Sequence, residues 1–167
     1  RIEAFQDKLW LLGGDNGSVS NQIWTSGNGS NWTQASTSTQ TDAMWGNRNT
    51  HSSAIFQNKL WVLGGNSGTA ANPDPIWSSA DGLTWAITNN SSWSKRWRNS
   101  TVVFQDRLWV IGGYSNGWKN DAWSSVDGTR WIQESSQVWS TGGAESTAVV
   151  FDGKIWMLGG WNAGGLI

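Results

Sequence analysis

Short hydrophobic runs alternate with polar turn residues along the whole chain, and no stretch has the 3.6-residue spacing of an amphipathic helix. The runs are rich in β-branched and aromatic residues, as at residues 102–104 and 108–111. Asn-Gly, Asp-Gly and Gly-Gly pairs interrupt them every eight to twelve residues or so. The pattern predicts an all-β chain of short antiparallel strands.

One of these segments occurs four times and makes the chain a repeat protein. Each copy begins with Phe, passes through a polar turn and ends with Leu-Trp or Ile-Trp, two apolar residues and Gly-Gly. The copies lie at residues 5–14, 56–65, 104–113 and 151–160. Each predicts a hairpin of two strands, which we call A and B, around a turn such as Asp152-Gly153.

A second segment follows each of the first three copies and also predicts a hairpin. It reads Trp-Ser-Ser-x-Asp-Gly-x-x-Trp or a close variant, at residues 24–32, 77–85 and 123–131. Its Asn-Gly or Asp-Gly pair is the strongest short-range signal for a hairpin. We call these strands C and D, so each complete unit has four antiparallel strands.

Units of four antiparallel strands and about 48 residues are typical of a β-propeller blade. The two repeated segments together resemble the repeats of bacterial kelch-like and galactose-oxidase-type propellers over nearly the whole chain. The C–D turn is also similar to the Asp-box of sialidase-type propellers. The resemblance implies an all-β fold, a β-propeller of four-stranded antiparallel blades with about 3.5 blades in this chain.

We predict one partial propeller over residues 1–167. Blade 1 covers about residues 1–35, blade 2 about 51–88, blade 3 about 100–134, and half blade 4 about 146–160. Propellers close with about four to eight blades. Either the rest of a longer chain or other copies of this chain would therefore have to complete the ring, and the sequence leaves both alternatives open.

Composition narrows the possible partners. A net charge of −1 gives no electrostatic attraction to nucleic acid, and no apolar run is long enough to predict membrane insertion. The absence of cysteine excludes disulfides and thiolate metal sites. Low charge, sixteen tryptophans and many small polar residues favour an extracellular or cell-surface location, with the periplasm also open.

The sequence contains no recognisable catalytic set. His51 is the single histidine and stands at the start of a strand A, where a structural role is the more common one. No His or Cys partner, no repeated glutamate pair, no calcium loop and no phosphate-binding glycine loop accompanies it. We therefore predict no catalytic residue, no metal and no cofactor. The sequence favours a protein that is not an enzyme, without deciding the question.

The candidate binding residues lie in the loops that differ between units. Antiparallel order places the B–C and D–A loops on one face, the loop face, and the A–B and C–D turns on the other, the turn face. Function in repeat folds tends to sit on such variable loops. We predict ligand contacts from Trp118, Trp161, Tyr114, Trp93, Trp97, Arg48, Arg98 and His51.

Packing is the alternative for several of these side chains. A loop tryptophan often wedges between blades, and an arginine just before strand A can bond backbone carbonyls instead of lining the mouth of a central channel.

Three functions follow as hypotheses. The first is a non-catalytic module that binds glycan or protein, the second part of a carbohydrate-active propeller enzyme with catalytic residues elsewhere, and the third a self-assembling repeat module.

Overall fold

A computed structural model of the chain describes residues 1–15, 17–35, 46–66, 75–139, 142–162 and 164–166. The regular secondary structure of these residues consists entirely of β-strands. The strands form three sheets of four antiparallel strands, a two-stranded sheet and a short hairpin. The predictions of an all-β chain and of four-stranded antiparallel units are confirmed.

Within each four-stranded sheet the strands lie side by side in sequence order. The first sheet contains β1 (Ile2–Phe5), β2 (Lys8–Asp15), β3 (Val19–Ser26) and β4 (Thr33–Gln34). The second contains β5 (Ser52–Phe56), β6 (Lys59–Leu63), β7 (Pro75–Ser79) and β8 (Ala86–Asn90). The third contains β9 (Ser100–Phe104), β10 (Arg107–Ile111), β11 (Ala122–Ser125) and β12 (Ile132–Ser135). The fourth contains β13 (Thr147–Phe151) and β14 (Lys154–Leu158), and a hairpin of β15 (Trp161–Asn162) and β16 (Gly165–Leu166) follows it.

The Phe and Trp of the first repeated segment hold each A–B hairpin closed. Gln6 and Asp7 both have positive φ, as the two central residues of a type I′ turn require. The indole Nε1 of Trp10 donates to the carbonyl of Phe5 at 2.9 Å, and Trp61, Trp109 and Trp156 make the same bond in the other sheets. The recurrent Phe-to-Trp spacing is therefore explained by one hydrogen bond within each hairpin.

The C–D turns are capped by their own side chains. The hydroxyl of Ser79 accepts from the N–H of Gly82, and the Asp81 carboxylate accepts from the next two N–H groups, those of Leu83 and Thr84. The third sheet repeats this arrangement, and its backbone N–H groups lower the pKa of Asp127 to about 2. These bonds explain why Ser, Asp or Asn, and Gly recur at fixed positions.

The first strands of the four sheets lie next to one another. β1 is beside β5, β5 beside β9, and β9 beside β13. A cavity of about 390 Å³ lies along them and is lined largely by Ser and Thr side chains, including Ser52, Ser53, Ser100, Thr101, Ser146 and Thr147. The sheets are thus arranged side by side around a polar inner surface.

The cores lie between successive sheets. One buried cluster joins Trp10, Leu12 and Ile23 of the first sheet to Leu60 and Trp85 of the second. A second cluster joins the second and third sheets in the same way. Apolar side chains on both faces of the middle sheet are therefore covered, which is why β6 reads as an almost continuous hydrophobic run.

The tryptophans of β2 and β6, Trp10 and Trp61, each pack beneath the C–D turn of the next sheet. A Cβ on Gly82 would lie 2.4 Å from the Trp10 ring, and one on Gly128 would lie 2.1 Å from the Trp61 ring. Both glycines also have positive φ, so the turn and the close approach each require glycine. We call this the tryptophan–glycine contact, and it fixes how one sheet stacks on the next.

Candidate functional site

Three aromatic side chains meet on the loop face. The rings of Trp97 and Tyr114 lie 5.5 Å apart between centroids, and those of Tyr114 and Trp118 lie 5.1 Å apart in an edge-to-face arrangement. Trp97 comes from the D–A loop, whereas Tyr114 and Trp118 come from the B–C loop of the third sheet. All three are partly exposed, and we call them the aromatic cluster.

Backbone hydrogen bonds hold the aromatic cluster in place. Trp97 and Tyr114 exchange N–H to carbonyl bonds of 3.1 and 2.8 Å, and the N–H of Lys119 donates to the carbonyl of Gly113. Gly142 packs so tightly on Trp118 that a Cβ there would lie 2.6 Å from its carbonyl group. The rings therefore sit on a loop whose backbone is fixed, and they need little ordering before they contact a ligand.

The same backbone bridge recurs beside the second, third and fourth sheets with different side chains. It joins Asn49 to Asn66 in the second sheet and Ala144 to Trp161 after the fourth. Trp161 is exposed, and it occupies the position in this bridge that Tyr114 occupies in the third unit. The framework of the loop face is thus constant, while the side chains that it presents change from amide to aromatic.

A second group of predicted residues lies around a smaller cavity of about 300 Å³, lined in part by Thr50, His51, Arg98 and Glu145. The N–H of Arg98 donates to the carbonyl of Thr50, and the N–H of Glu145 donates to the carbonyl of Arg98. Thr50, Arg98 and Glu145 all have positive φ and take the same position in successive units. Arg98 forms an exposed ion pair of 3.0 Å with Glu145 at the rim of this cavity.

Arg48 lies in a different environment from Arg98, although both precede a strand A. The Arg48 guanidinium is buried and donates to the carbonyl of Gly64 at 2.8 Å. Arg96 makes the equivalent bond to Gly112 and adds a bidentate ion pair with Asp121 at 2.6 and 2.9 Å. Arg96 is therefore the counterpart of Arg48, and both make the bond to a backbone carbonyl that the sequence left open for an arginine just before strand A.

Trp93 lies in the core between the second and third sheets. Its ring packs edge-to-face on Trp131 at 4.7 Å and lies 5.8 Å from Trp123, with the Arg96 guanidinium over it. The structure does not bring Trp93 to the aromatic cluster. Trp45, a further tryptophan in the sequence between the first and second units, lies outside the described residues.

His51 is buried between the glycine pairs of two sheets. Its Cε1 would lie 3.3 Å from a Cβ on Gly13, and its Cβ would lie 2.7 Å from one on Gly65. Burial, together with nearby positive charges that include Arg48, lowers the pKa of His51 well below its ordinary value of 6.5. A neutral, enclosed imidazole suits a structural role, as the sequence suggested for a lone histidine.

The buried His51 predicts a stability change near neutral pH. Because its folded-state pKa is depressed, protonation favours the unfolded chain, so stability is full above about pH 6.5 and is lost below it. The free energy of unfolding should fall by up to about 1.4 kcal/mol per pH unit, measured by urea unfolding between about pH 7.5 and 5.5. The His51→Asn variant should lack this slope, since Asn99 fills the same place in the next unit. An equal slope in both proteins would contradict the assignment.

Within the described ranges, no group of three His, Cys, Asp or Glu side chains could hold a metal ion. No helix long and apolar enough to cross a membrane occurs in the same residues. Comparison with known protein families finds none that matches the chain, and comparison with curated proteins finds no matching sequence.

Proposed function

We propose that this chain is a non-catalytic binding or scaffold module of a secreted or cell-surface kelch-like β-propeller. It engages a glycan or a protein partner through the aromatic cluster on its loop face. The observation that carries the proposal is the convergence of Trp97, Tyr114 and Trp118 from two loops into one partly exposed, hydrogen-bonded group.

Aromatic rings of this kind suit both classes of ligand. Their faces pack on the C–H groups of a sugar ring or on an apolar anchor of a protein. The indole N–H donates hydrogen bonds, and the phenol O–H both donates and accepts them. Lys119 and Arg98 each follow a cluster tryptophan in the sequence and add charged groups, and Arg98 is paired with Glu145. A rigid aromatic patch with polar neighbours is a typical composition for a recognition site.

The side-by-side sheets support the propeller part of the proposal. Successive four-stranded antiparallel sheets whose inner strands neighbour one another are the arrangement expected of blades. The remaining blades would come from a longer chain or from other chains. A ring of such blades holds its loops on a rigid scaffold, which is the setting in which variable loops act as binding surfaces.

A second candidate is part of a carbohydrate-active propeller enzyme whose catalytic residues lie outside this sequence. The exposed guanidinium of Arg98 at the rim of the 300 Å³ cavity favours it, because arginine binds carboxylates such as those of acidic sugars. Loss of activity on acidic sugars in an Arg98→Ala variant of the complete protein would support this candidate.

Substitution of the aromatic cluster tests the binding proposal. The wild-type chain is screened on arrays of glycans and of surface proteins, and each ligand found is titrated against Trp118→Ala and Tyr114→Ala. Each variant should bind at least about 10-fold more weakly, the loss typical of a buried aromatic anchor. Trp32→Ala is the control, because Trp32 lies in a C–D turn on the opposite face. Unchanged affinity of both cluster variants for every ligand found would overturn the site.

A further inference from the structure

In the residues that the structure describes, the fourth sheet covers the facing side of the third sheet only in part. Trp109, at the position of the buried Trp10 and Trp61, is only partly buried, and in β13 and β14 several apolar side chains are exposed, among them Phe151 and Trp156. Exposure of the repeated tryptophan rises from 1% at Trp61 to 45% at Trp156. We call Gln105, Trp109 and the outer edge of β14 the open surface.

The equivalent surfaces of the first and second sheets are both covered, and by the same kind of segment. Trp10 lies under the turn glycine Gly82, and Trp61 lies under Gly128. The amide of Gln6 donates to the carbonyl of Ala80, and that of Gln57 donates to the carbonyl of Val126. In each case the cover is the C–D hairpin of the next sheet, held by one tryptophan and one glutamine.

The edge of β14 is ready to pair with another strand. Asp152 and Gly153 have the positive φ values of a type I′ turn, which makes Phe151 and Lys154 the first hydrogen-bonded pair. Pairing then alternates, so the backbone groups of Ile155 and Met157 point away from β13. In the described part of the chain β14 pairs with β13 alone, whereas β10 also pairs with β11.

We propose that the open surface binds a β-hairpin of the repeated sequence Trp-Ser-Ser-x-Asp-Gly-x-x-Trp, supplied by a further repeat of this type. The first strand of the hairpin pairs with β14, and its leading tryptophan lies opposite Met157, as Trp123 lies opposite Val110. Its turn glycine covers Trp109, and the carbonyl of residue x accepts from Gln105. Addition of a strand to an exposed edge supplies affinity through main-chain bonds, and the tryptophan–glycine contact supplies specificity.

A peptide with the sequence of residues 121–135 tests the proposal on the full 167-residue chain. A fluorescent label on the peptide reports binding by anisotropy. An isolated hairpin is barely stable in water, so ordering it weakens the complex. We expect a dissociation constant on the order of 10 µM.

The control peptide carries Gly128→Ala and differs by one methyl group. That methyl group would collide with the tryptophan beneath it and would strain a residue at positive φ. The control peptide should therefore bind at least about 10-fold more weakly than the unsubstituted one.

Variants of the chain locate the binding surface. Trp109→Ala should weaken peptide binding at least about 10-fold, and Gln105→Ala, which changes an exposed turn residue, should weaken it about 3-fold or more without affecting folding. Trp118→Ala should leave peptide binding unchanged, because the aromatic cluster lies on the loop face. Failure of the glycan or protein proposal is thereby separable from failure of this one.

Three results would overturn the inference. The peptide could fail to bind at about 100 µM, or the Gly128→Ala peptide could bind as well as the unsubstituted one. Sedimentation velocity could also show a dimer that excludes the peptide and that Trp109→Ala dissociates. A second copy of the chain, and not a repeat hairpin, would then be the occupant of the open surface.

Discussion

Trp61→Ala is expected to lower the free energy of unfolding by about 3–5 kcal/mol, the range for removal of a buried tryptophan. Trp61 is 1% exposed, packs on Phe56 and lies beneath Gly128 of the next sheet. Its replacement removes contacts within its own hairpin and between two sheets at once. Urea unfolding followed by far-UV circular dichroism measures the loss, and Trp61→Phe should fall between wild type and Trp61→Ala.

The matched control is the same residue type at the same repeat position. Trp156 makes the same hairpin bond to a Phe carbonyl but is 45% exposed. Trp156→Ala should therefore cost no more than about 1 kcal/mol. Similar losses of unfolding free energy in Trp61→Ala and Trp156→Ala would contradict this prediction. Packing between sheets would then contribute little, and the hydrogen bond within the hairpin would account for the stability that the tryptophan provides.

Arg96→Ala is expected to lower the free energy of unfolding by about 3–5 kcal/mol, because it leaves the partly buried Asp121 carboxylate without its ion-pair partner. Burial alone would raise the pKa of Asp121, but the hydrogen bonds and charge of Arg96 outweigh burial and hold that pKa below its ordinary value. The carboxylate is therefore ionised at neutral pH. Loss of the arginine removes this stabilisation and also a bond to the carbonyl of Gly112. Urea unfolding at neutral pH measures the difference.

Two controls accompany this substitution. Asp121→Asn in the Arg96→Ala background removes the unpaired charge and should restore part of the loss. Arg98→Ala breaks an exposed ion pair of similar length and should cost less than about 1 kcal/mol. Equal effects of Arg96→Ala and Arg98→Ala would contradict the assignment of Arg96 as a buried structural residue.

The hairpins were predictable because their signals are local. Apolar residues at strand spacing flank dipeptides that tolerate positive φ, such as Asp152-Gly153, and the structure forms each hairpin there. The hairpin β15–β16 was not predicted, since strands of two residues show no periodicity. The packing of Gly82 and Gly128 against a tryptophan ring was also not predicted. That tryptophan comes from another sheet, so no residue next to the glycine in the sequence indicates the contact.

The loop residues were only partly predictable. Tyr114 and Trp118 were expected on one face, and the structure adds that they contact each other and Trp97. Trp93 lies in the same D–A loop as Trp97 but packs into the core. The composition of a loop does not show which of its tryptophans is buried and which is exposed. The equivalence of Arg48 and Arg96 had an available signal, because both stand the same number of residues before the repeated Phe.

A double-mutant cycle between Trp61 and Gly128 tests most directly how the sheets stack, on which the loop face and the open surface both depend. In the wild-type background, Gly128→Ala should be destabilising because its methyl group would lie 2.1 Å from the Trp61 ring and its φ is positive. In the Trp61→Ala background the collision is gone, and the cost should fall to about 1 kcal/mol of backbone strain. We expect a coupling free energy of about 1–3 kcal/mol by urea unfolding. Additive effects within about 0.5 kcal/mol would show that the tryptophan of one sheet does not lie beneath the turn of the next.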